Sequence, residues 1–292
     1  MTRNLGLFIG VLVLAFSFLL PLPGVAERTA TGIADYHTLP LPQRPRDAVR
    51  GSAFAKQTAN LPAAERQRAA VSEILAGNIP DFLRAFRPVE LSHNGRRATI
   101  FVSPDYLAVG SSDDFLRVPL NYPAAAAVLS SLDCVLPTPK IVDAVYRQSR
   151  RKLRPQPLPP CSAMTSNAYF LNHQRMIEEQ LGACPIGIIT SGHKKDVVLT
   201  NRLRRRPGSI AIYGWHHASG RPIQPLSTVH EAAYADYSHG IRAVHRTVMI
   251  DGREVDLLAA LGNPDLAPLF TREGVISDAQ ALMRPAGLMA MR

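Results

Sequence analysis

The chain has few cysteines. Only Cys134, Cys161 and Cys184 occur in its 292 residues, and no two of them form a CxxC pair. That spacing argues against a structural zinc site of the finger or ribbon type. In an oxidising compartment it permits one disulfide and leaves an odd thiol. A pairing of Cys134 with Cys161 or with Cys184 is not fixed by the sequence. There is no HExxH or similar helical ligand pair either, so neither zinc nor any other metal cofactor is expected. No basic segment is interleaved with aromatics in the way that grips single strands, so nucleic acid is not an expected partner. Beyond the first twenty or so residues no run is apolar enough to span a bilayer. No internal repeat is visible.

What is present starts with a leader. Arg3 supplies a charged n-region, Leu5 to Leu20 is almost wholly apolar, and "PLPGVA" follows. This is the layout of a signal peptide, with cleavage expected after Ala26. The apolar run is short for a membrane span, and Pro21 and Pro23 interrupt it. The expected location is periplasmic or extracellular. Loss of the leader leaves 266 residues (292 minus 26) and lowers the formal net charge from +10 to +9, because Arg3 departs. A basic chain outside the cytoplasm meets wall polymers, lipid head groups and acidic polysaccharide. An anionic envelope polymer or peptide is therefore the expected partner, against the plainer alternative of a solvated cationic surface.

Composition divides the remainder. Residues 27–60 are rich in Pro, Arg, Thr and Ala without periodicity and read as a flexible linker. From 61 to 292 the pattern is one α+β domain, which either stays one body or splits into two lobes about the proline-rich stretch at 152–162. "PAAERQRAAVSEILAGN" has a helical stripe that ends near Gly77. "PDFLRAF" reads as a second short helix. "VELSHNGRRATIFVS" alternates around Asn94-Gly95, the strongest short hairpin signal. "YLAVG" and "FLRVPL" read as short strands. "PAAAAVLSSL", "TPKIVDAVYRQSRRKL" and "NAYFLNHQRMIEEQLG" read as helices. The amino half is thus mainly helical. After Gly182, "IGIIT", "DVVLT", "SIAIYGW" and "IRAVHRTVMI" give the carboxyl half a mostly antiparallel sheet, with a turn at Asp251-Gly252. Helical stretches are expected at 254–261 and 277–283.

The chemistry gathers in that second half, where six of the nine histidines lie between His193 and His245. "SGHKKD" puts His193, Lys194, Lys195 and Asp196 directly before a strand. An imidazole beside two ammonium groups can bind a carboxylate or phosphate, and an aspartate can orient the ring. The plain alternative is a charged turn. "IYGWHH" offers Tyr213, the only tryptophan Trp215, His216 and His217. Such an indole stacks on a sugar ring, or else it fills a core. Gln224 and His230 follow, then "YADYSHGIR" with Tyr234, Asp236, Tyr237, Ser238, His239 and Arg242. Polar residues at strand ends and in loops are where a sheet carries function. These segments are expected to bring their imidazoles, ammonium groups and acids to one solvent-open hollow.

"SHGIR" resembles the signature of the L,D-transpeptidases, secreted enzymes that crosslink peptidoglycan through a cysteine. Ser238, His239, Gly240 and Arg242 match in order, and "IAIYGWH" lies where that family has an earlier histidine strand. The nucleophile is missing: Ile241 follows Gly240 directly, and without a thiolate that mechanism cannot run. The chain is similar over most of its mature length to a family of secreted bacterial proteins sharing "LPTPKIVDAVY", "GHKKDVVLTNRL", "IYGWH", "PIQPLS" and "YADYSHGIR". That resemblance implies common descent and supplies no activity.

Two functions fit these residues. In the first, an envelope hydrolase or transferase, His239 or His193 is the general base, and Asp236 or Asp196 orients it. Ser238 is the candidate nucleophile, though neighbours on a strand face opposite ways, which disfavours a direct pair with His239. Lys194, Lys195 and Arg242 hold the anion, and Tyr234 or Tyr237 donates to an oxyanion. In the second, the same cations and aromatics bind an acidic glycan or peptide without turnover.

Overall fold

The computed structural model describes residues 38–183 and 186–284. The expected leader, residues 27–37 of the expected linker and Cys184 lie outside them. The fold is α+β, with sheets that are mostly antiparallel.

Two hairpins frame the larger sheet. Asn94 and Gly95 take φ values of 46° and 80°, the positive pair that a two-residue turn demands. They join strand β1 (Arg87–His93) to β2 (Arg96–Val102) in an unbroken register from Arg87↔Val102 to His93↔Arg96. Asp251 and Gly252 repeat the device at 49° and 83°. Strand β2 is the hub, because β1, β12 (Val244–His245) and β13 (Thr247–Ile250) all pair with it. Beyond them lie β5 (Cys134–Val135) and β14 (Arg253–Asp256). Ala98, Ile100 and Val102 turn one face of β2 into the core.

The second sheet runs β10 (Pro222–Ser227), β9 (Ile212–His216), β8 (Lys195–Val197) and β11 (His239–Gly240). Only β8 with β11 is parallel here. A two-stranded pair joins β3 (Ala108–Gly110) to β4 (Phe115–Arg117), and another joins β6 (Arg151–Lys152) to β7 (Thr190–Ser191).

The longer helices start where the sequence caps them. Asn121 accepts from Ala124 N to open α3 (Tyr122–Ser131), Thr138 accepts from Ile141 N to open α4 (Pro139–Gln148), and Ser166 accepts from Tyr169 N to open α5 (Asn167–Leu181). Pro123 and Pro139 stand in the first turns, where a missing N–H costs nothing. Helices α1 (Gly51–Gln57) and α2 (Ala63–Leu75) precede these three. One cluster of buried apolar side chains runs from Leu39 to Met283 through both halves.

Several elements differ from expectation. Residues 38–60 are packed rather than free. Leu39 N bonds Arg84 O, Arg44 reaches Asn78, and α1 buries Phe54 and Ala55. Leu39, Phe54 and Ala55 join the core and Leu41 and Val49 pack against it, which periodicity alone does not reveal. "PDFLRAF" forms only a 3-10 turn at Asp81–Leu83, and "IGIIT" contributes only Thr190 to a strand. Residues 254–256 are strand, held by the β13 pairing, and the helix starts at Leu257 under an Asp256 cap. Residues 154–161 cross the surface as an extended connector with Leu158 tucked partly in.

Strand β11 approaches Tyr106 so closely that a Cβ on Gly240 would stand 2.6 Å from its ring. Gly240→Ala must push that fully buried ring aside. It should cost about 2 kcal/mol, as overpacking does. Urea unfolding measures this, and an unchanged midpoint would refute the packing described.

Candidate functional site

The three sequence motifs arrive on adjacent strands. His239 pairs with Lys195 and Gly240 with Asp196, while Asp196 pairs with Tyr213 and Lys195 with Gly214. Main-chain pairing therefore puts "HKKD", "IYGWH" and "SHG" side by side. They do not form the expected open hollow. His193, Lys194, Asp196, Trp215, His216, Asp236, Tyr237, Ser238, His239 and Arg242 are all at most 4% exposed. The site is a buried polar nest, and it divides into linked groups.

The first group centres on an acid that sequence reading missed. Asp105 Oδ1 lies 3.1 Å from His193 Nε2. Its Oδ2 accepts from Arg117 Nη2 at 2.7 Å and Nε at 3.1 Å. Arg117 also donates to Glu178 at 2.7 Å. Burial works to raise the Asp105 pKa, but Arg117 and His193 overcome it and hold the carboxyl far below its usual range. Burial pushes His193 down to about 4 against the pull of Asp105. The ring is therefore neutral at pH 7. A carboxylate can only accept, so Nε2 carries the hydrogen and Nδ1 keeps its lone pair. Nδ1 is buried and has no partner. Asp105, rather than Asp196 or Asp236, orients His193.

The second group lies along β8 and β9. Tyr106 donates to Asp196 Oδ2 at 2.9 Å and stands edge-on to His193 at 4.9 Å. Burial pushes Asp196 up to about 6. Arg242 approaches Asp196 at 3.9 Å, covers the Tyr106 ring and donates to Ser103 O and Thr190 O. Its guanidinium is thus committed to the fold, which corrects its expected part in substrate binding. A Cβ on Gly214 would lie 3.4 Å from His216 Cε1 and 3.5 Å from Asp196 Oδ2, so ring and acid close over the bare glycine. His216 Nε2 lies 3.0 Å from Asp143 Oδ1, which also accepts from Tyr213 at 3.0 Å, while Arg272 holds Oδ2 at 2.6 Å. Tyr146 stacks on the His216 ring. Asp143, also absent from the sequence reading, orients this second imidazole.

The third group is "YADYSH" itself. Ser238 donates to Asp236 Oδ1 at 2.6 Å, and Tyr234 donates to Oδ2 at 3.0 Å. Burial opposes the Asp236 charge, yet His239, Ser238 and Lys195 keep its pKa below normal. No imidazole bonds Ser238, so the expected activation of this hydroxyl by a histidine is not present. Tyr237 exchanges bonds with Leu158 N and O, which straps the proline-rich connector over the nest. Lys194 donates to Tyr237 O at 2.6 Å, and burial brings its pKa down to about 7. Lys195 lies half-buried over the Trp215 ring at 5.1 Å. Trp215 packs in the core at φ 56°, so its expected sugar-stacking face is covered, and its Nε1 has no partner. His239 also has both ring nitrogens unpartnered, and burial lowers its pKa to about 4. His230 stacks on Tyr234 at 4.2 Å, closer to the surface. The Gln224 side chain donates to the neighbouring Pro225 carbonyl.

His173 of α5 completes the nest. It faces Tyr237 at 5.0 Å and Trp215 at 6.3 Å, and both its nitrogens are unpartnered. Burial drives its pKa down to about 2. The spacing Phe170, His173, Ile177 on one helix face was the available signal, and all three are buried. Among the described residues, no group of three or more His, Cys, Asp or Glu side chains is placed to hold a metal ion. Cys134 and Cys161 are both free thiols, and Ile241 is fully buried in the core. No family model matches the chain, and no curated protein or solved structure matches it.

The neutral imidazoles set an acid sensitivity. The unfolded chain protonates His173, His193 and His239 near the ordinary 6.5, whereas the folded chain does so only near 4 or below. Stability is full above 6.5 and falls as pH drops through that window. Asp196 acts oppositely, because its folded value near 6 exceeds the unfolded 3.8. Lys194 is protonated in both states below its folded value of about 7. Unfolding at pH 5 should therefore take up about two protons, three from the histidines less one from Asp196. The pH dependence of the urea unfolding free energy measures this. A flat profile between pH 7 and 5 would contradict it.

Proposed function

We propose that the chain is a secreted or periplasmic hydrolase or transferase of the cell envelope, acting on an anionic wall polymer or peptide. One observation carries this reading. His193 is held through Nε2 by an ionised Asp105, with the Nδ1 lone pair uncommitted and the ring neutral at pH 7. That is the preparation a general base needs. Nδ1 takes the proton of an attacking water or hydroxyl and returns it to the leaving group. Asp105 steadies the imidazolium in between, and Arg117 keeps Asp105 ionised. Lys194, next to His193 in the chain and held by the Tyr237 carbonyl, is the cation this reading assigns to an anion that develops in the reaction. Water suits the attacking role better than Ser238, whose hydroxyl belongs to Asp236. His193 is only 1% exposed, so substrate reaches it only after an opening motion of the chain around it. Localisation rests on the leader, and the anionic substrate rests on the basic charge. The motifs that carry the resemblance to secreted bacterial proteins supply most of the nest.

The second reading, a non-catalytic binder of an acidic glycan or peptide, is favoured by the absence of an activated nucleophile at Ser238. Incubation with purified peptidoglycan and analysis of the released fragments separates the two. Wild type should release fragments, and His193→Gln should lower the rate by about 100-fold or more with affinity nearly unchanged. Asp105→Asn should follow it, with circular dichroism confirming that each variant folds. No release by wild type, with affinity lost in His193→Gln, would replace the enzyme by the binder.

A further inference from the structure

Arginine outnumbers lysine 28 to five in this chain. Arg202, Arg204, Arg205 and Arg206 fill four of five consecutive positions, and Leu203 is the fifth. Leu203 is only 4% exposed and pins the short helix Arg202–Arg205 to the core. With that side chain turned inward, the four arginines face solvent. Two surface depressions meet at Arg204. One, of about 600 Å³, is lined by Asn201, Arg202, Arg204, Arg205 and Glu273. The other, of about 280 Å³, includes Arg206, Ser209 and Arg284 in its wall. Both have Arg204 in their walls, and the two taken together as one furrow are lined by five arginines.

The acids nearby leave most of that charge available. Glu273 accepts from Thr200 at 2.7 Å and from Asn201 N at 3.1 Å, and Asp278 pairs with Arg204 at 3.2 Å. Arg202 donates to Leu226 O, which fixes it along the rim. Among the described residues, no acidic side chain pairs with Arg205, Arg206 or Arg284. A guanidinium fork meets phosphate through two parallel bonds, which an ammonium cannot do. The helical turn places these forks within about 5.4 Å of rise, suited to a chain whose charges repeat every few ångströms. Among the described residues, the exposed large apolar side chains are Leu171, Ile186 and Val229, and they line neither depression. A face that docks on a bilayer needs such residues to insert.

We propose that this furrow binds a linear, phosphate-bearing polymer. The site is separate from the His193 nest and does not depend on how that nest is read. Long-chain sodium polyphosphate is the probe, titrated by calorimetry into the purified protein over a salt series. Wild type should bind with strong salt dependence. Arg205→Ser/Arg206→Ser should weaken binding by about tenfold or more and flatten that dependence, because two phosphate contacts are gone. Arg175→Ser, on α5 and outside the furrow, should bind as wild type does. Equal binding by the double variant, or an equal loss in Arg175→Ser, would overturn the proposal. Polygalacturonate bound as tightly as polyphosphate would overturn the phosphate assignment. Binding to phosphatidylglycerol vesicles but not to polyphosphate would make the face a membrane contact instead. Turnover is not measured, so this test fails or succeeds apart from that of His193.

Discussion

A carboxylate at 5% exposure must be neutralised where it stands, and Asp105 is that carboxylate. An unpaired buried charge is costly, so Arg117 and His193 are both drawn to it. Their union fixes what surrounds them. Arg117 ties β4 to α5 through Glu178, and His193 brings the start of β8 to the loop after β2. Tyr106, next to Asp105, then reaches Asp196 and lies against Gly240. The glycine of "SHG" is thus explained by a ring that needs its room. Substitution of Arg117 leaves the Asp105 charge without its counter-ion, and substitution of His193 removes a hydrogen-bond donor to it, which is why the two order the nest as well as the acid.

From that pair a succession of polar groups crosses the protein. Glu178 and Arg117 begin it, followed by Asp105, His193, Tyr106 and Asp196. Across Gly214 it resumes with His216, Asp143 and Arg272. Both ends are partly solvated, since Glu178 is 44% and Arg272 58% exposed. Two aspartate–histidine pairs lie within this row. Asp105 comes from the loop after β2 and Asp143 from α4, so neither acid shares an element with its imidazole.

Legibility in the sequence followed the range of the interaction. Asn94-Gly95 and Asp251-Gly252 announced their turns, because the backbone angles there are set by the residues themselves. The helices opened by Asn121, Thr138 and Ser166 lie in stretches the sequence marks as helical, since helix periodicity and capping both act over a few residues. The segments bearing the site were also visible, through the density of histidine and lysine before and after strands. Their partners were not. Asp105 and Asp143 are 88 and 73 positions from the imidazoles they hold, and no local pattern encodes such a pairing. Burial was misjudged for a related reason. Polar side chains suggest exposure, but these satisfy one another, and the nest closes.

The parallel ladder between β8 and β11 has a bearing on how the protein forms. Residues 198–238 must turn back before His239 can lie beside Lys195. Such a contact closes a long loop, and its entropy is spent before any bond rewards it. The imidazoles, lysines and acids therefore come together among the late events of folding. A partly folded chain, even with its hairpins complete, holds no such nest, so these polar groups meet only in the finished tertiary structure.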